Sequence, residues 1–289
     1  MPEKVFLNGK LIDADQAHIS VFDAALQHGV GVFEVLRSYG GNIFRLADHI
    51  ARLRDSEATL GLASAIEADE AGQAIKQLLS ANELSDARVR LTVTGGSVRV
   101  GIHVGAQAKQ NILITAGAAQ PPPAEVYTDG VGVLLSDYRL SDKDPIARHK
   151  TVSYLPRLVA LRAAQQARLV DAIWFTTDGY LAGGSVSNVF LIKDDCLLTP
   201  SLDLPTVPGI ARKVVIELAE ELQIPVREEK FSLEDTLSAD EMFLTNTVVE
   251  VLPVVTIERH VIGSGRVGPL TRTFLQRYRG RVRKEAGSA

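Results

Sequence analysis

The chain has 289 residues, 46% of them apolar and 23% charged, which suits a globular protein with sizeable cores and room for one large domain or two ordinary ones. A net charge of −4 leaves no electrostatic footprint for nucleic acid or an anionic membrane, and the single cysteine, Cys196, excludes an internal disulfide and a cysteine-based metal framework, as fits a reducing cytoplasm. No apolar run reaches the roughly 18 residues of a membrane helix, Met1-Pro2-Glu3-Lys4 lacks the apolar core of a signal peptide, and the histidines show no HExxH or His-x-His spacing, so no metal site is expected.

Residues 3–13 read as a hairpin, with Val5-Phe6-Leu7 leading into Asn8-Gly9, a strong type I′ turn signal, and Leu11-Ile12 returning. A second hairpin spans 30–46, turning at Gly40-Gly41. A helix carrying Ile50, Leu53 and Leu60 ends near Gly61, and another covers about 66–81. Arg88 to Thr94 alternates as a half-buried strand does, and Asn111 to Thr115 forms the next strand. Gly117 to Pro123 ends in three prolines, a stiff connector. It divides the chain into residues 1–117, a linker 118–124, and residues 125–289; the alternative is a long surface loop within one domain. Strands follow at 131–135, 172–176, 186–192 and 241–245. Helices follow at 155–168, from Pro208-Gly209 and from Gly268-Pro269. Without a regular βαβ alternation, the fold class expected is α+β or mixed α/β, not a Rossmann fold.

Several stretches have the residue types that grip a phosphate. In Asp48-His49-Ile50-Ala51-Arg52-Leu53, His49 and Arg52 share one helix face, and an arginine there can hold a phosphate in bidentate fashion or be a solvated charge. Thr206-Val207-Pro208-Gly209-Ile210-Ala211 opens a helix whose first N–H groups are an anion site or an ordinary junction. Leu244-Thr245-Asn246-Thr247 offers hydroxyls at a strand end, for an anion or for a turn. Lys150, in Arg148-His149-Lys150-Thr151, is a surface charge unless these donors serve the same ligand. One lysine with several donors for one phosphate suits pyridoxal phosphate, whose aldehyde forms a Schiff base with lysine.

In order along the chain, Asn8-Gly9, Val32-Phe33-Glu34, His49 to Leu53, Lys150, Ser187-Asn188-Val189-Phe190, Pro208-Gly209-Ile210, Thr247 to Val254 and Gly268-Pro269-Leu270-Thr271 resemble the class IV pyridoxal-phosphate enzymes. These include branched-chain and D-amino-acid aminotransferases and aminodeoxychorismate lyase, and the likeness runs from about Phe6 to about Leu275. The resemblance implies the two-domain fold type IV architecture, with the cofactor between a small N-terminal domain and a larger C-terminal domain carrying the lysine. It implies Lys150 as Schiff-base lysine and proton carrier, with the phosphate on Arg52, on the N–H groups of Ile210 and Ala211, and on Thr247. It also implies a homodimer, and an aminotransferase acting on a small amino acid and a 2-keto acid. The alternatives are lyase chemistry, or a relative that has lost efficient amino transfer.

Three departures from the family pattern bear on that reading. The glutamate of a Glu-Gly-x-x-x-Asn motif, which pairs with the pyridine nitrogen and makes the ring an electron sink, is Gly183 here. The usual Gly-Asp-Gly before Val-Phe/Tyr-Glu is Gly29-Val30-Gly31, and the threonine after Pro-Gly-Ile is Ala211. In the substrate pocket, Phe33 stands where D-amino-acid aminotransferases place a tyrosine. Arg99, with Arg90 as a second candidate, is the expected partner of a substrate carboxylate. Tyr154 is expected either to reach the cofactor or to pack at the domain interface.

Overall fold

The computed structural model describes residues 3–62, 66–98 and 109–287. The chain divides into two units: Met1–Gln120 with His149–Ser153 and Val282–Ala289, and Pro121–Arg148 with Tyr154–Arg281.

In the first unit, β1 (Lys4–Leu7) and β2 (Lys10–Asp13) form the N-terminal hairpin. Asn8 and Gly9 both take positive φ, +50° and +84°, as a type I′ turn requires. Then come α1 (Ala24–His28), β3 (Gly31–Tyr39), β4 (Asn42–Ile43), α2 (Leu46–Thr59), α3 (Ala68–Ala81), β5 (Ala87–Thr94) and β6 (Ile112–Ala118). The strands make one six-stranded antiparallel sheet in the order β2-β1-β6-β5-β3-β4. Alternation along β5 turns Val89, Leu91 and Val93 inward, where they pack with Leu36 of β3, Ile50 and Leu53 of α2, and Ile75 and Leu78 of α3.

The second unit holds α4 (Ala124–Asp129), β7 (Val131–Leu140), α5 (Leu155–Gln166), β8 (Ala172–Thr176), β9 (Leu181–Gly184), β10 (Asn188–Lys193), β11 (Cys196–Pro200), α6 (Ile210–Glu221), β12 (Val226–Glu229), α7 (Leu233–Leu237), β13 (Glu241–Asn246), β14 (Glu250–Ile257), β15 (His260–Val261) and the start of α8 (Pro269–Ala286). Its sheet runs β12-β11-β10-β13-β14-β7-β8-β9, with β15 on β14; β11–β12, β14–β7 and β7–β8 are parallel and the remaining pairs antiparallel. Central β10 and β13 are buried on both faces along most of their length, which matches the consecutive apolar residues Val189–Ile192 and Met242–Leu244. Phe190 and Phe243 stack with centroids 5.0 Å apart, and Phe274 of α8 packs tilted against Phe243 at 5.8 Å. The mixed α/β class expected from the sequence is the one found.

Two expectations change. The sequence reading puts Lys150 in the C-terminal domain, whereas His149–Ser153 groups with the first unit. The reason is backbone pairing: Phe33 N donates to Lys150 O at 2.8 Å, Val152 N donates to Gly31 O at 3.0 Å, and Thr151 bridges Val32. The helix expected over 155–168 ends at Gln166. Ala160 and Ala164 are buried, while Leu155, Leu158 and Val159 are exposed.

Candidate active site

Within the first unit, β3 places Glu34 toward α2. Glu34 is almost fully buried and accepts from Arg52 twice, Nε to Oε1 at 2.7 Å and Nη2 to Oε2 at 2.6 Å. His49, one helical turn before Arg52, brings Nδ1 to 2.8 Å from the same Oε2. Burial pushes the Glu34 pKa up, but Arg52 and His49 outweigh it and hold the carboxyl at about 2. Because Glu34 is ionised, the shared proton sits on His49 Nδ1, which leaves Nε2 as a lone-pair acceptor; that atom is buried without a hydrogen-bond partner. Burial lowers the His49 pKa, the Glu34 carboxylate opposes this, and the positive charges of Arg52 and Lys150 lower it further. His49 is thus the point on which the charges of Arg52 and Lys150 both act.

Lys150 is half-buried, and its backbone is pinned to β3 as described above. Its Nζ lies 4.7 Å from the Phe33 ring centroid. Arg90 of β5 covers the same ring, its Cζ 3.7 Å from the centroid, with Nε donating to Thr92 Oγ1 at 3.2 Å. The adjacent His149 has Nδ1 2.9 Å from Ser56 Oγ of α2. Arg99 lies outside the described residues.

Within the second unit, α6 begins at Ile210 with Gly209 as a cap that supplies no side-chain acceptor, so the first N–H groups are left to a ligand or solvent. Asn188 braces this end: Nδ2 donates to Val207 O at 2.8 Å, and a Cβ on Gly209 would fall 1.9 Å from Asn188 Oδ1. Asn188 lies opposite Thr245 in the β10–β13 ladder, so Thr247, two residues further on, stands at the same end of the sheet as the start of α6. Ile210, Ala211 and Thr247 are brought together in that sense. Gly183, the next-to-last residue of β9, has φ +151°, a conformation glycine tolerates and other residues resist. Below it Asp171, buried, accepts from Ala172 N at 2.7 Å, Ser185 N at 3.0 Å and Ser187 Oγ at 2.6 Å. Burial raises its pKa against those donors. Tyr154 gives its hydroxyl to Ser185 O at 2.8 Å, a bond within the second unit. Among the described residues no group of three or more His, Cys, Asp or Glu is placed to hold a metal ion, and no helix is long and apolar enough to cross a membrane.

Glu34 and His49, which organise the site, are given no site role from the sequence: His49 is read only as sharing a helix face with Arg52, and Glu34 only as part of a family-like motif. The available signal was a lone carboxylate in the otherwise apolar run Val32 to Leu36, an expensive burial that demands a cationic partner.

The family model for amino-transferase class IV matches residues 31–257. A putative branched-chain-amino-acid aminotransferase of Methanocaldococcus jannaschii is 34% identical over 277 residues, covering 96% of this chain and 95% of that protein. The D-alanine aminotransferase of Bacillus licheniformis is 32% identical over 269 residues, 93% of each chain. The solved branched-chain amino acid aminotransferase of Escherichia coli superposes with a TM-score of 0.90 at 29% identity, covering 97% of this chain and 94% of that one. The chain belongs to the class IV aminotransferases, a pyridoxal-phosphate-dependent family, and is an enzyme of that class.

The buried triad predicts how stability responds to acid. Both folded pKa values are depressed, so the unfolded chain binds more protons and stability falls with pH. For His49 the loss starts as pH drops through its ordinary value of 6.5; for Glu34 it runs from 4.5 down to about 2 and amounts to on the order of 3 kcal/mol. Urea denaturation at a series of pH values should show stability already declining between pH 6.5 and 5. A His49→Gln variant should lose that segment of the slope and keep the one below 4.5.

Proposed function

We propose that the chain is a pyridoxal-phosphate-dependent aminotransferase of branched-chain amino acids, with Lys150 as its reactive amine and a homodimer as its working form. The observation that carries this reading is that β3 holds both groups at adjacent residues: Phe33 pairs with the Lys150 backbone and carries its Nζ 4.7 Å from the ring, and Glu34 grips Arg52 through two hydrogen bonds. A buried carboxylate that locks an arginine is a costly arrangement, and such arrangements gather at functional sites.

The donor chemistry fits the cofactor. Arg52, held bidentate by Glu34 yet still 11% exposed at its side chain, suits a phosphate dianion. The uncapped N–H groups of Ile210 and Ala211, at the positive end of a twelve-residue helix, also have the chemistry that suits a phosphate. The Thr247 hydroxyl adds a neutral donor. Replacement of the family's threonine by Ala211 removes one hydroxyl and leaves the backbone donor in place. When bound, pyridoxal phosphate supplies an aldehyde for amine exchange and a conjugated ring that accepts electron density. With the cofactor bound, Lys150 Nζ would be the base placed to take and return a proton at the substrate Cα, the proton movement an aminotransferase needs. The apolar Phe33 ring offers a wall for an aliphatic side chain, and Arg90, stacked on that ring, offers a cation for a carboxylate. Arg99, the first candidate from the sequence for that carboxylate, lies outside the described residues.

Exposed apolar side chains support the homodimer. Ile19, Val21, Phe22 and Leu26 lie exposed within one short stretch of the first unit, and Leu155, Leu158 and Val159 along α5 in the second. Burial against a second copy would remove these surfaces from water.

The test is a panel of amine donors added to the loaded protein, followed by the change in its visible absorption. L-leucine, L-isoleucine and L-valine should convert the cofactor to its amino form faster than D-alanine or L-alanine. Equal or slower conversion by the branched-chain donors would overturn the substrate assignment. Gly183 favours a second reading, a member with weakened amino transfer; a visible band that no donor shifts would select it.

A further inference from the structure

The turn that carries Thr247 is held more firmly than a strand connection requires. Asn246 Oδ1 accepts from Val248 N at 2.8 Å and from Val249 N at 2.9 Å. Tyr127 of α4, buried, donates its hydroxyl to Val249 O at 3.1 Å. Glu250, the next residue, has φ +60°, a left-handed conformation that L side chains resist. It is nevertheless buried, with its carboxylate accepting from Arg279 Nε of α8 at 2.8 Å. The Arg279 guanidinium carbon in turn lies 4.6 Å from the Tyr127 ring centroid.

One arginine therefore grips both the residue that ends the turn and the tyrosine that caps it. Strained backbone persists only where its surroundings over-determine it, and Glu250 is over-determined by an ion pair drawn from another element. Thr247 sits within the turn so fixed, partly buried, at the same end of the sheet as the uncapped start of α6.

We propose that Glu250, Arg279 and Tyr127 are positioning residues that clamp the 246–250 turn so that Thr247 is presented to a phosphate before that phosphate arrives. This rests on the reading above that Thr247 contacts the cofactor phosphate. Loosening the clamp leaves the donors present but lets them wander, so the loss falls on the phosphate and not on the aldehyde or the ring.

The experiment compares equilibrium binding of pyridoxal 5′-phosphate and of pyridoxal, which lacks the phosphate, to the full chain freed of cofactor. Binding is followed by absorbance, and the phosphate also by its ³¹P resonance. The variants are Tyr127→Phe, Arg279→Met and Thr247→Val. Both clamp variants should bind the phosphorylated aldehyde about tenfold more weakly, as expected for a lost hydrogen bond to a charged or buried group, with pyridoxal changed less than about twofold. The ³¹P resonance should shift or broaden with them. Tyr127→Phe removes one oxygen and keeps the ring, so it decides the matter if Arg279→Met does not fold. Equal weakening of both aldehydes, or no weakening of either, would overturn the clamp. If Thr247→Val loses the phosphate preference while the clamp variants keep it, the clamp falls and the Thr247 reading stands. If Thr247→Val keeps the preference, the Thr247 reading falls and takes the clamp with it.

Discussion

A Lys150→Ala variant is expected to lose amino transfer by at least about 10³-fold while keeping its fold. The rate loss follows from the role of Nζ. In the proposed function it is both the amine that would hold the aldehyde and the base that would move the Cα proton, and general-base removal alone typically costs ~10²–10⁴-fold. The fold should survive because what pins this segment is backbone: the Phe33 N to Lys150 O bond, the Val152 N to Gly31 O bond and the Thr151–Val32 bridge all remain in alanine. The side chain itself is half-buried, and its packing over Phe33 is of the size of a cation–π contact, about 1 kcal/mol. Thermal denaturation should therefore move by a few degrees at most, about 2–4 °C for a chain of this size. Added ethylamine should restore part of the proton transfer in Lys150→Ala and none in an inactive variant that has lost its fold. Activity within tenfold of the native chain would remove Lys150 from the chemistry.

The second large effect concerns Gly183. Where relatives of this class place a carboxylate against the pyridine nitrogen, this chain has no side chain, and restoring one in Gly183→Glu should raise the rate of the proton-transfer half-reaction. A buried charge partner is worth roughly 2–4 kcal/mol, or ~30- to 1000-fold. The backbone sets a cost against this gain. At φ +151° any side chain is strained, and the new Cβ would sit 3.3 Å from Ser187 O, a close but tolerable approach. Strain of this kind costs about 1–3 kcal/mol of stability. The two effects fall on different quantities, so they separate. Gly183→Ala has the same strain without the carboxylate and should lower the melting temperature without raising the rate. Gly183→Glu should lower the melting temperature by a similar amount and raise the rate. A Gly183→Glu protein that is folded and no faster than Gly183→Ala would show that the electron-sink argument does not apply to this site.

How much of this could be read in the sequence depended on whether the signal was local. The Asn8-Gly9 hairpin, the alternation of Arg88 to Thr94 and the uncapped Pro208-Gly209 entry to α6 are set by neighbouring residues, and each is legible. Short elements were legible only through chemistry that periodicity misses. Helix α7 is five residues long, too short for an apolar period, yet Ser232 and Asp235 form a capping box that marks its start. Helix α5 misleads in the other direction: its leucines suggest the buried face, and alanines take that place because the larger side chains stay exposed in the single chain. Lys150 was legible as a candidate, but not its attachment to β3, because a backbone pairing across more than a hundred residues leaves no local trace. The same holds for the clamp. Asn246 advertises a turn, while nothing near Arg279 or Tyr127 in sequence links them to Glu250.

The most direct test of Lys150 as the reactive amine is chemical. Protein loaded with pyridoxal 5′-phosphate is reduced with borohydride, which fixes any lysine-bound aldehyde as a stable secondary amine, then digested with trypsin and mapped by mass spectrometry. The account predicts a single pyridoxyl label on Lys150, within a peptide extending from His149 to Arg157, since the modified lysine resists cleavage. A label on another lysine, or none on this peptide after reduction, would contradict it.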